Sequence, residues 1–399
     1  MNSFTRSTVR TLPHRGPCQN VGRRPGLKAW PTLGILIVQA FLCLAHWFLY
    51  FTWTAFWWPL SPAATLALKY ALIGLSVIFV LGALLGFRFT NWLVAFIYQI
   101  AAVWLGLLNF FFCAACLAWI IDFALRFVLP GNDHLRARPA IAGVLFIAAV
   151  GTGIYGIVNA RVIRIRRVPV KLETLPDSWR GRTALVMSDL HLGNINGVRF
   201  ARRITEMAKQ LNPDVIFIPG DLFDGTKAGP EKIAAPLFEL APPFGVFFVS
   251  GNHEEFGGAT HYAESLKHAG FHVLDNERVT IDGLQIVGVP YEVSNYPLRL
   301  RHILMSLHLN DGTAIILLQH VPTRLPVVEQ AGVSLQLSGH THGGQVFPFS
   351  WITRRAFGKF TYGLQRFGSL QVLTSSGAGT WGPPMRVGTH PEVVLLTFE

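Results

Sequence analysis

Five short segments of the chain carry side chains that can bind metal ions, and each directly follows an apolar run. Any one of them alone is more typical of a turn, a helix cap or a packed histidine. All five in this order indicate one site built from separate loops. The segments are Ser188-Asp189-Leu190-His191, Gly220-Asp221-Leu222-Phe223-Asp224, Gly251-Asn252-His253-Glu254, Gln319-His320-Val321-Pro322 and Gly339-His340-Thr341-His342-Gly343-Gly344-Gln345.

The donor types of these segments narrow the choice of metal. A mixed set of carboxylate, imidazole and amide groups suits Mn²⁺, Fe or Zn²⁺ better than Ca²⁺ or Mg²⁺. In Asp189-x-His191 and His340-x-His342, alternate residues of an extended segment point the same way. One carboxylate can also bridge two cations about 3.5–4 Å apart, as in two-metal hydrolases. We therefore expect two divalent metal ions.

The apolar runs are the elements that must position these loops. Strands mixed with helices predict an α/β sheet, and ligands from several strand ends converge at its edge. The predicted strands are 184–187, 215–218, 246–249, 284–289, 314–318, 335–337, 370–374 and 393–397, and the predicted helices are 198–211, 230–240, 261–269 and 298–308.

The N-terminal part of the chain has a different character. Apolar stretches at 33–56, 64–87, 92–126 and 140–159 each approach or exceed the roughly 20 residues that cross a bilayer. Trp53, Trp57 and Trp58 form an aromatic belt at the end of the first stretch. The third is long, and we interpret it as one helix. The prediction is a basic tail over 1–30, about four transmembrane helices over 31–160, and a catalytic domain over 161–399.

Charge is distributed unevenly between these parts. Residues 1–160 carry eleven Lys/Arg and two acidic residues, so most of the net charge of +12 lies beside the apolar spans. This distribution is not that of a nucleic-acid-binding domain, and no nucleic acid is expected. With four spans, twelve flanking basic residues fall on one side and three on the other. The positive-inside rule then predicts a multi-pass protein of the inner (cytoplasmic) membrane with a cytoplasmic catalytic domain.

The ordered motifs resemble those of a known family. Asp189-Leu190-His191, Gly220-Asp221, Gly251-Asn252-His253-Glu254, His320 and Gly339-His340-Thr341-His342 resemble the calcineurin-like metallophosphoesterase superfamily over residues 180–399. Gly343-Gly344-Gln345 and the segment 377–386 resemble its bacterial branch of transmembrane proteins with a metallophosphoesterase domain. The resemblance implies a β-sandwich flanked by helices.

The resemblance also implies roles for the loop residues. His253, beside Asn252, would contact the leaving-group oxygen as a general acid or charge stabiliser, so both are catalytic candidates. The expected reaction is in-line attack on phosphorus by a water that the cations activate. The implied ligands are Asp189, His191 and His342 for one metal, Asn252, His320 and His340 for the other, and Asp221 as the bridge.

The substrate is suggested by a basic and aromatic loop over 347–364. A loop of this kind in a membrane-tethered domain is typical of contact with lipid or an anionic head group. Arg354, Arg355 and Arg386 are candidates for binding the substrate. The resembling branch is associated with cleavage of phosphodiester or pyrophosphate bonds, including that of UDP-2,3-diacylglucosamine in lipid A synthesis. A phosphorylated lipid or nucleotide-lipid is therefore the expected partner, together with the bilayer.

Two other functions remain open. One is a nucleotide phosphodiesterase or protein phosphatase, which acts on soluble substrates. The other is a transporter or receptor with a regulatory phosphoesterase domain. A transporter would need paired charges within the spans, and His46, Lys69 and Asp122 stand isolated in the sequence.

Overall fold

The computed structural model of the protein describes residues 4–8, 29–57, 60–226, 229–310 and 312–399, with the backbone alone at 4–8 and 29–32. Most of the basic tail predicted for 1–30, and Trp58 of the aromatic belt, lie outside the described residues. The chain forms two compact units. The helical unit comprises His14–Val158 and Gly382–Met385, and the sheet unit comprises Met1–Pro13, Asn159–Trp381 and Arg386–Glu399.

Four long helices make up the described part of the helical unit, and each contains a stretch long and apolar enough to cross a membrane. The third is one continuous helix of 34 residues, as the sequence analysis predicts. It exceeds the roughly 20 residues a span needs, so it would tilt or protrude. The helices are α1 (Ala29–Phe56), α2 (Pro62–Gly86), α3 (Trp92–Leu125) and α4 (Asp133–Ala160).

One expectation about these helices is wrong. Asp122 is not isolated, because its fully buried carboxylate accepts hydrogen bonds from Arg138 at 2.8 and 2.9 Å and from Arg126 at 3.0 Å. Arg138 lies sixteen residues further along the chain, on α4. Sequence spacing alone therefore could not show this pair. Removing one partner of such a buried pair would be strongly destabilising.

The sheet unit contains the described strands and the shorter helices. Its strands are β1 (Phe4–Thr8), β2 (Arg164–Val170), β3 (Thr183–Val186), β4 (Val215–Ile218), β5 (Val246–Phe248), β6 (His272–Val273), β7 (Glu277–Ile281), β8 (Leu284–Gly288), β9 (Ile315–Leu318), β10 (Leu335–Ser338), β11 (Gly363–Phe367), β12 (Leu370–Thr374) and β13 (Glu392–Phe398). Its helices are α5 (Val198–Leu211), α6 (Pro230–Ala234), α7 (Asn252–Gly257), α8 (Ala259–His268), α9 (Tyr291–Ser294), α10 (Pro297–Ser306), α11 (Leu325–Gln330) and α12 (Phe349–Phe357).

The strands form two mixed sheets. One has the order β1-β7-β8-β9-β10-β12-β11, and the other has the order β2-β13-β3-β4-β5-β6. The strands β8, β9, β10 and β12 run parallel in the first sheet, and β3, β4, β5 and β6 run parallel in the second. Parallel neighbours end at the same edge, so the loops that follow them are brought together.

The buried apolar side chains show how the two sheets and the helices are layered. Side chains of both sheets, among them Phe217, Ile286 and Leu337, form one buried cluster between the sheets. The outer face of each sheet packs against helices through a separate cluster. On α5, for example, Ala201, Ile204 and Ala208 recur every three or four residues and are buried, which is the period of one helix face. The predicted β-sandwich flanked by helices is thus confirmed.

Candidate metal centre

The site lies where strands of both sheets end. Asp189 and His191 follow β3, Asp221 follows β4, and Asn252 and His253 follow β5. The strands β9 and β10 of the other sheet lead into His320 and into His340 and His342. The structure therefore brings all of the predicted ligands together.

Their donor atoms form three overlapping groups. Within each group the atoms lie within 4.8 Å of one another, and the groups share Asp221 and His191. The groups are Asp189, His191 and His342; His191, Asp221 and His253; and Asp221, His320 and His340. Sharing of residues between groups is the arrangement expected of two neighbouring cation sites with a common ligand.

The first group is held tightly by its surroundings. Nε2 of His191 lies 2.9 Å from Nε2 of His342, which is 3.5 Å from Oδ1 of Asp189. Ser188 donates its hydroxyl proton to Oδ2 of Asp189 at 2.5 Å. The backbone N–H of His340 donates to the same carboxylate at 2.9 Å. These bonds fix the carboxylate of Asp189 against the two imidazoles.

The group of Asp221, His320 and His340 centres on the Asp221 carboxylate. Its Oδ2 lies 3.1 Å from Nε2 of His320 and 3.8 Å from Nε2 of His191. Nδ1 of His320 donates to the carbonyl of Pro219 at 2.8 Å, which turns the other ring nitrogen toward Asp221. Nδ1 of His340 donates to Oδ1 of Asn252 at 2.9 Å. Asp221 thus belongs to two of the three groups, a position from which a carboxylate could serve two cations.

Burial and neighbouring charges shift the pKa values of the histidines. Burial acts to lower the pKa of His320, but the Asp221 carboxylate outweighs this and raises the pKa to about 9. Burial and the charge of His320 lower the pKa of His340 to about 4. Burial also lowers the pKa values of His191 and His342 well below their usual range. At neutral pH these last three rings are neutral and can offer lone pairs to a cation.

The donor set fits divalent cations. Nε2 of His320 lies 3.1 Å from Oδ2 of Asp221 without a well-aligned hydrogen bond, so a cation there would satisfy both buried atoms. Two buried carboxylates lie beside four imidazoles. Although burial acts to raise the pKa of Asp221, the charge of His320 holds it well below its usual range. Burial raises the pKa of Asp189 to about 6. The residues can therefore supply carboxylate and imidazole donors near neutral pH.

The backbone is unusual at these positions. Five residues lie in the left-handed region, with φ of 53° at Asp189, 47° at His191, 51° at Asp221, 70° at His340 and 49° at His342. This conformation costs a non-glycine residue about 1–2 kcal/mol. Gly251 and Gly339 pack so closely that an added Cβ would collide with the Asp221 and Asp189 carboxylates, respectively. The loops are therefore shaped around the two carboxylates.

Glu254 has a role that the sequence analysis did not predict. It lies in the first turn of a helix, α7, where it accepts from the N–H of Gly251 at 2.7 Å. In addition, the fully buried carboxylate accepts from the N–H groups of Asp221 at 3.0 Å and Phe223 at 2.9 Å. Burial and the Asp221 charge raise the pKa of Glu254 to about 8, whereas the N–H donors act to lower it. Glu254 thus ties the loop after β4 to the loop after β5.

His253 stands at the edge of the cluster. Its Nδ1 donates to the carbonyl of Asp224 at 3.0 Å, which leaves Nε2 for another partner. Asp224 itself closes a turn, because its carboxylate accepts from the backbone and hydroxyl of Thr226. The exposed rings of Phe256 and Trp381 lie edge-on to His253, with centroids 5.7 and 6.0 Å away. Phe256 lies on the same helix as His253, α7, whereas Trp381 comes from a segment more than a hundred residues away, so sequence spacing could not bring the two rings together.

Arg386 is not placed where a substrate could reach it, contrary to the sequence-based expectation. It is fully buried and donates to the carbonyls of His342 at 3.0 Å, Gly377 at 3.1 Å and Gly379 at 2.6 Å. Burial lowers the pKa of its guanidinium to about 10, so it stays charged at neutral pH. Arg386 holds the loop of His342 from behind.

The predicted loop over 347–364 is instead largely helical, because α12 occupies Phe349–Phe357. Its less exposed face carries the half-buried polar residues Ser350 and Thr353, so the usual apolar helix pattern is missing from the sequence. Arg354 and Arg355 are both exposed on this helix. Arg354 lines a cavity beside the His342 loop, and Arg355 does not. The structure therefore separates the two predicted substrate-binding arginines.

Several known proteins are similar to this chain. Residues 182–344 match the family model described as calcineurin-like phosphoesterase. An uncharacterized metallophosphoesterase of Aquifex aeolicus is 32% identical over 265 residues, covering 64% of this chain and 98% of that protein. A transmembrane protein with metallophosphoesterase domain from Danio rerio is 30% identical over 330 residues, covering 74% of each. A solved dimetal phosphatase from Danio rerio is 12% identical, covers 50% of this chain and 88% of its own, and has a TM-score of 0.36.

The chain therefore belongs to the calcineurin-like metallophosphoesterase family and is a metal-dependent phosphoester hydrolase. Its relatives include both bacterial and animal proteins. Four apolar helices and a relative named as a transmembrane protein make it a membrane protein.

Proposed function

We propose that this protein is a membrane-anchored phosphoesterase that uses two divalent cations, Mn²⁺, Fe or Zn²⁺, to cleave phosphodiester or pyrophosphate bonds. The observation that carries the proposal is the set of three overlapping donor groups that share Asp221 and His191. In the proposed assignment Asp221 bridges the metals. The remaining ligands are Asp189, His191 and His342 for one cation, and Asn252, His320 and His340 for the other.

Cations held there would lower the pKa of an attacking water and screen the charge on the phosphoryl oxygens. The protein's own groups do the positioning. Asp189 and Asp221 are fixed by hydrogen bonds from Ser188 and from the backbone N–H groups of His340 and His253. Because these donors are already in place before substrate binds, little reorganisation is needed during the reaction.

His253 is the proposed proton donor to the leaving-group oxygen. Its Nδ1 proton is held by the carbonyl of Asp224, so a proton carried at Nε2 is the one available for transfer. Its donor atom also falls within the group of His191 and Asp221, which places it beside the reacting centre. The side chain is 8% exposed, enough for contact with a substrate that enters from that side.

Two substitutions test this assignment. Asp221→Ala should lose both bound metal and hydrolysis of bis(p-nitrophenyl) phosphate, because it removes the shared ligand. His253→Ala should retain metal and lose rate, most strongly for esters with poor leaving groups. Asp177→Ala, at an exposed carboxylate, is the control. A purified Asp221→Ala protein that keeps both metals and turnover would refute the assignment.

We propose a lipid-linked substrate, such as UDP-2,3-diacylglucosamine. The support comes from α12, on which Phe349 and Ile352 are 51% and 64% exposed. The spacing of three residues puts these side chains on one helix face, and Arg355 follows Ile352 by another three. An exposed apolar face with adjacent basic residues is typical of helices that lie at a membrane surface.

The test of this substrate class separates lipid from soluble substrates. Phe349→Ser with Ile352→Ser should raise the KM for a phospholipid substrate in vesicles and leave bis(p-nitrophenyl) phosphate hydrolysis unchanged. Phe357 and Phe360 are less suitable targets, because they are half-buried and Phe360 packs against the core. Equal KM values for the double variant and the wild type in vesicles would remove the support for a lipid substrate.

A second candidate is a nucleotide phosphodiesterase, and the rings beside His253 favour it. Phe256 and Trp381 are 68% and 58% exposed, and planar nucleobases stack on such rings. Trp381→Ala would then raise the KM for nucleotide esters selectively. A nucleotide-lipid would contact both the rings beside His253 and the exposed face of α12. The KM for a soluble nucleotide would not change when Phe349 and Ile352 are replaced.

We propose that the catalytic domain, residues 161–399, faces the cytoplasm at the inner membrane. The support is the excess of Lys and Arg on the side of the four spans that carries the N-terminal tail and the domain. A pair of reporters fused after Glu399, one active only in the cytoplasm and one only outside it, tests this topology. Activity of the external reporter alone would refute it.

A further inference from the structure

A second concave site lies in the sheet unit beside the metal centre. The cavity has a volume of about 500 Å³, and its lining includes Trp351, Arg354, Lys359, Tyr362 and His390. Ligand pockets of proteins commonly measure about 300–1,000 Å³, so this volume can hold a polar head group of ordinary size. None of the proposed metal ligands lines it.

The electrostatic character of the cavity is positive. Arg354 and Lys359 both line it, and neither forms an ion pair in the part of the chain that the structure describes. Arg166, whose guanidinium lies 4.9 Å from the centre of the Tyr362 ring, stands behind the wall and is paired with Glu392, so the net positive charge comes from Arg354 and Lys359.

The Glu392 carboxylate is engaged by groups other than Arg354 and Lys359. Glu392 is buried, and its oxygens accept from the hydroxyl of Tyr362 at 2.8 Å and from the N–H of Ser376 at 3.2 Å. Its carboxylate also lies 3.9 Å from Nη1 of Arg166. Glu392 is therefore occupied by the wall of the cavity, and Arg354 and Lys359 remain available to an anion.

The walls also connect the cavity to the loop of the metal centre. Gly343, which lines the cavity, directly follows His342. Thr361, another lining residue, accepts a hydrogen bond through its carbonyl from the hydroxyl of Thr341 at 2.7 Å. On another side, Nδ1 of His390 donates to Oδ1 of Asn159 at 2.8 Å, and Asn159 lies in the last turn of α4, within the same unit.

We propose that this cavity binds a phosphate-bearing head group through Arg354 and Lys359, with Trp351 and Tyr362 as its apolar walls. A guanidinium and an ammonium together are the usual protein groups for phosphate. The cavity is much larger than one phosphate, so the ligand carries a further polar part such as a sugar. The head group comes from a lipid of the bilayer or from a soluble phosphate ester. The inference that the cavity is a subsite for the substrate rests on the proposed hydrolase function.

The test measures binding apart from catalysis. Full-length protein in phosphatidylcholine nanodiscs is titrated calorimetrically with glucose 1-phosphate. Arg354→Gln with Lys359→Gln should weaken binding roughly tenfold or more, because charge-assisted hydrogen bonds are lost. Arg199→Gln with Arg366→Gln removes the same charge from exposed positions outside the cavity and should leave the Kd unchanged. An unchanged Kd in the cavity variant, or equal weakening in both double variants, would overturn the proposal.

A second arm identifies the source of the head group. Phosphatidic acid in the nanodiscs should compete with glucose 1-phosphate if the ligand is a lipid, and should have no effect if the ligand is soluble. Hydrolysis of bis(p-nitrophenyl) phosphate is followed in parallel. Absence of hydrolysis in the wild type would refute the proposed function and leave the binding result intact. Normal hydrolysis with no difference in binding would refute the cavity alone.

Discussion

Glu254 joins two loops of the metal centre through one carboxylate, and its replacement makes a quantitative test of the structure. Three backbone N–H groups, those of Asp221, Phe223 and Gly251, donate to it in the buried interior. Two of them share Oε2, and Phe223 uses Oε1. Glutamine can keep its oxygen on the shared side, but its NH₂ group then faces the N–H of Phe223.

The magnitude follows from the number of donors left without an acceptor. A buried unsatisfied N–H costs about 1–3 kcal/mol, so Glu254→Gln should destabilise the protein by about that amount. Glu254→Ala leaves three such groups, on the order of 3–9 kcal/mol, which approaches the whole stability of many domains. For a domain of this size, the glutamine variant should therefore melt about 2–12 °C lower.

Thermal unfolding of purified protein in detergent measures this difference, and metal analysis accompanies it. Glu254→Gln should retain metal, since the Asp221 N–H keeps its acceptor, and Glu254→Ala should lose it. Glu255→Gln, at the adjacent half-buried position with only a 3.4 Å contact to Ser250, is the matched control and should change stability by less than about 0.5 kcal/mol. A glutamine variant as stable as the wild type would refute the account of three accepted bonds.

Three further predictions concern the same site. Metal affinity should rise about tenfold per pH unit between pH 7 and 9, because a cation must displace the proton of His320, whose pKa is raised to about 9; a flat metal titration over this range would contradict it. Arg386→Met should lower the melting temperature and kcat without raising KM for a soluble ester, whereas a change in KM at unchanged stability would restore a substrate-binding role. Gly251→Ala should reduce metal content, because the added Cβ would collide with the Asp221 carboxylate. Gly229→Ala is the control, because a Cβ there meets open space. Equal metal content in the two variants would argue against the close packing at Gly251.

The strand ends of the site could be predicted from the sequence because each buried strand is a short apolar run. Val215–Ile218 and Leu335–Ser338 are buried at every position, so the polar residues that follow stand out. The strand Arg164–Val170 was missed, because its basic residues resemble a membrane flank. It becomes a strand through pairing with β13, more than two hundred residues away in the chain, and no local pattern encodes that partner.

The supporting contacts were harder to predict for the same reason. Glu254 and Arg386 are satisfied by backbone groups on loops distant in sequence, and a backbone N–H or C=O has no sequence signature. Residue type gave the candidate metal ligands that the fold brings together, since few side chains can bind a cation. It gave the wrong location for Arg386, because a positive charge suits both a phosphate and a set of buried carbonyls.

The left-handed conformation of five of the proposed ligands has an energetic consequence. Glycine adopts that conformation without strain, so the backbone alone favours glycine at each of them by about 0.5–1 kcal/mol after the chain entropy of glycine is counted. At Asp189 and Asp221 the side chain offsets this strain, because the buried donors of Ser188, His340 and His253 would otherwise lose their acceptors at about 1–3 kcal/mol each. The chain nevertheless carries a carboxylate or an imidazole at all five: Asp189, His191, Asp221, His340 and His342. Under the proposed function, each of the five keeps a metal donor at a position where the backbone alone favours glycine.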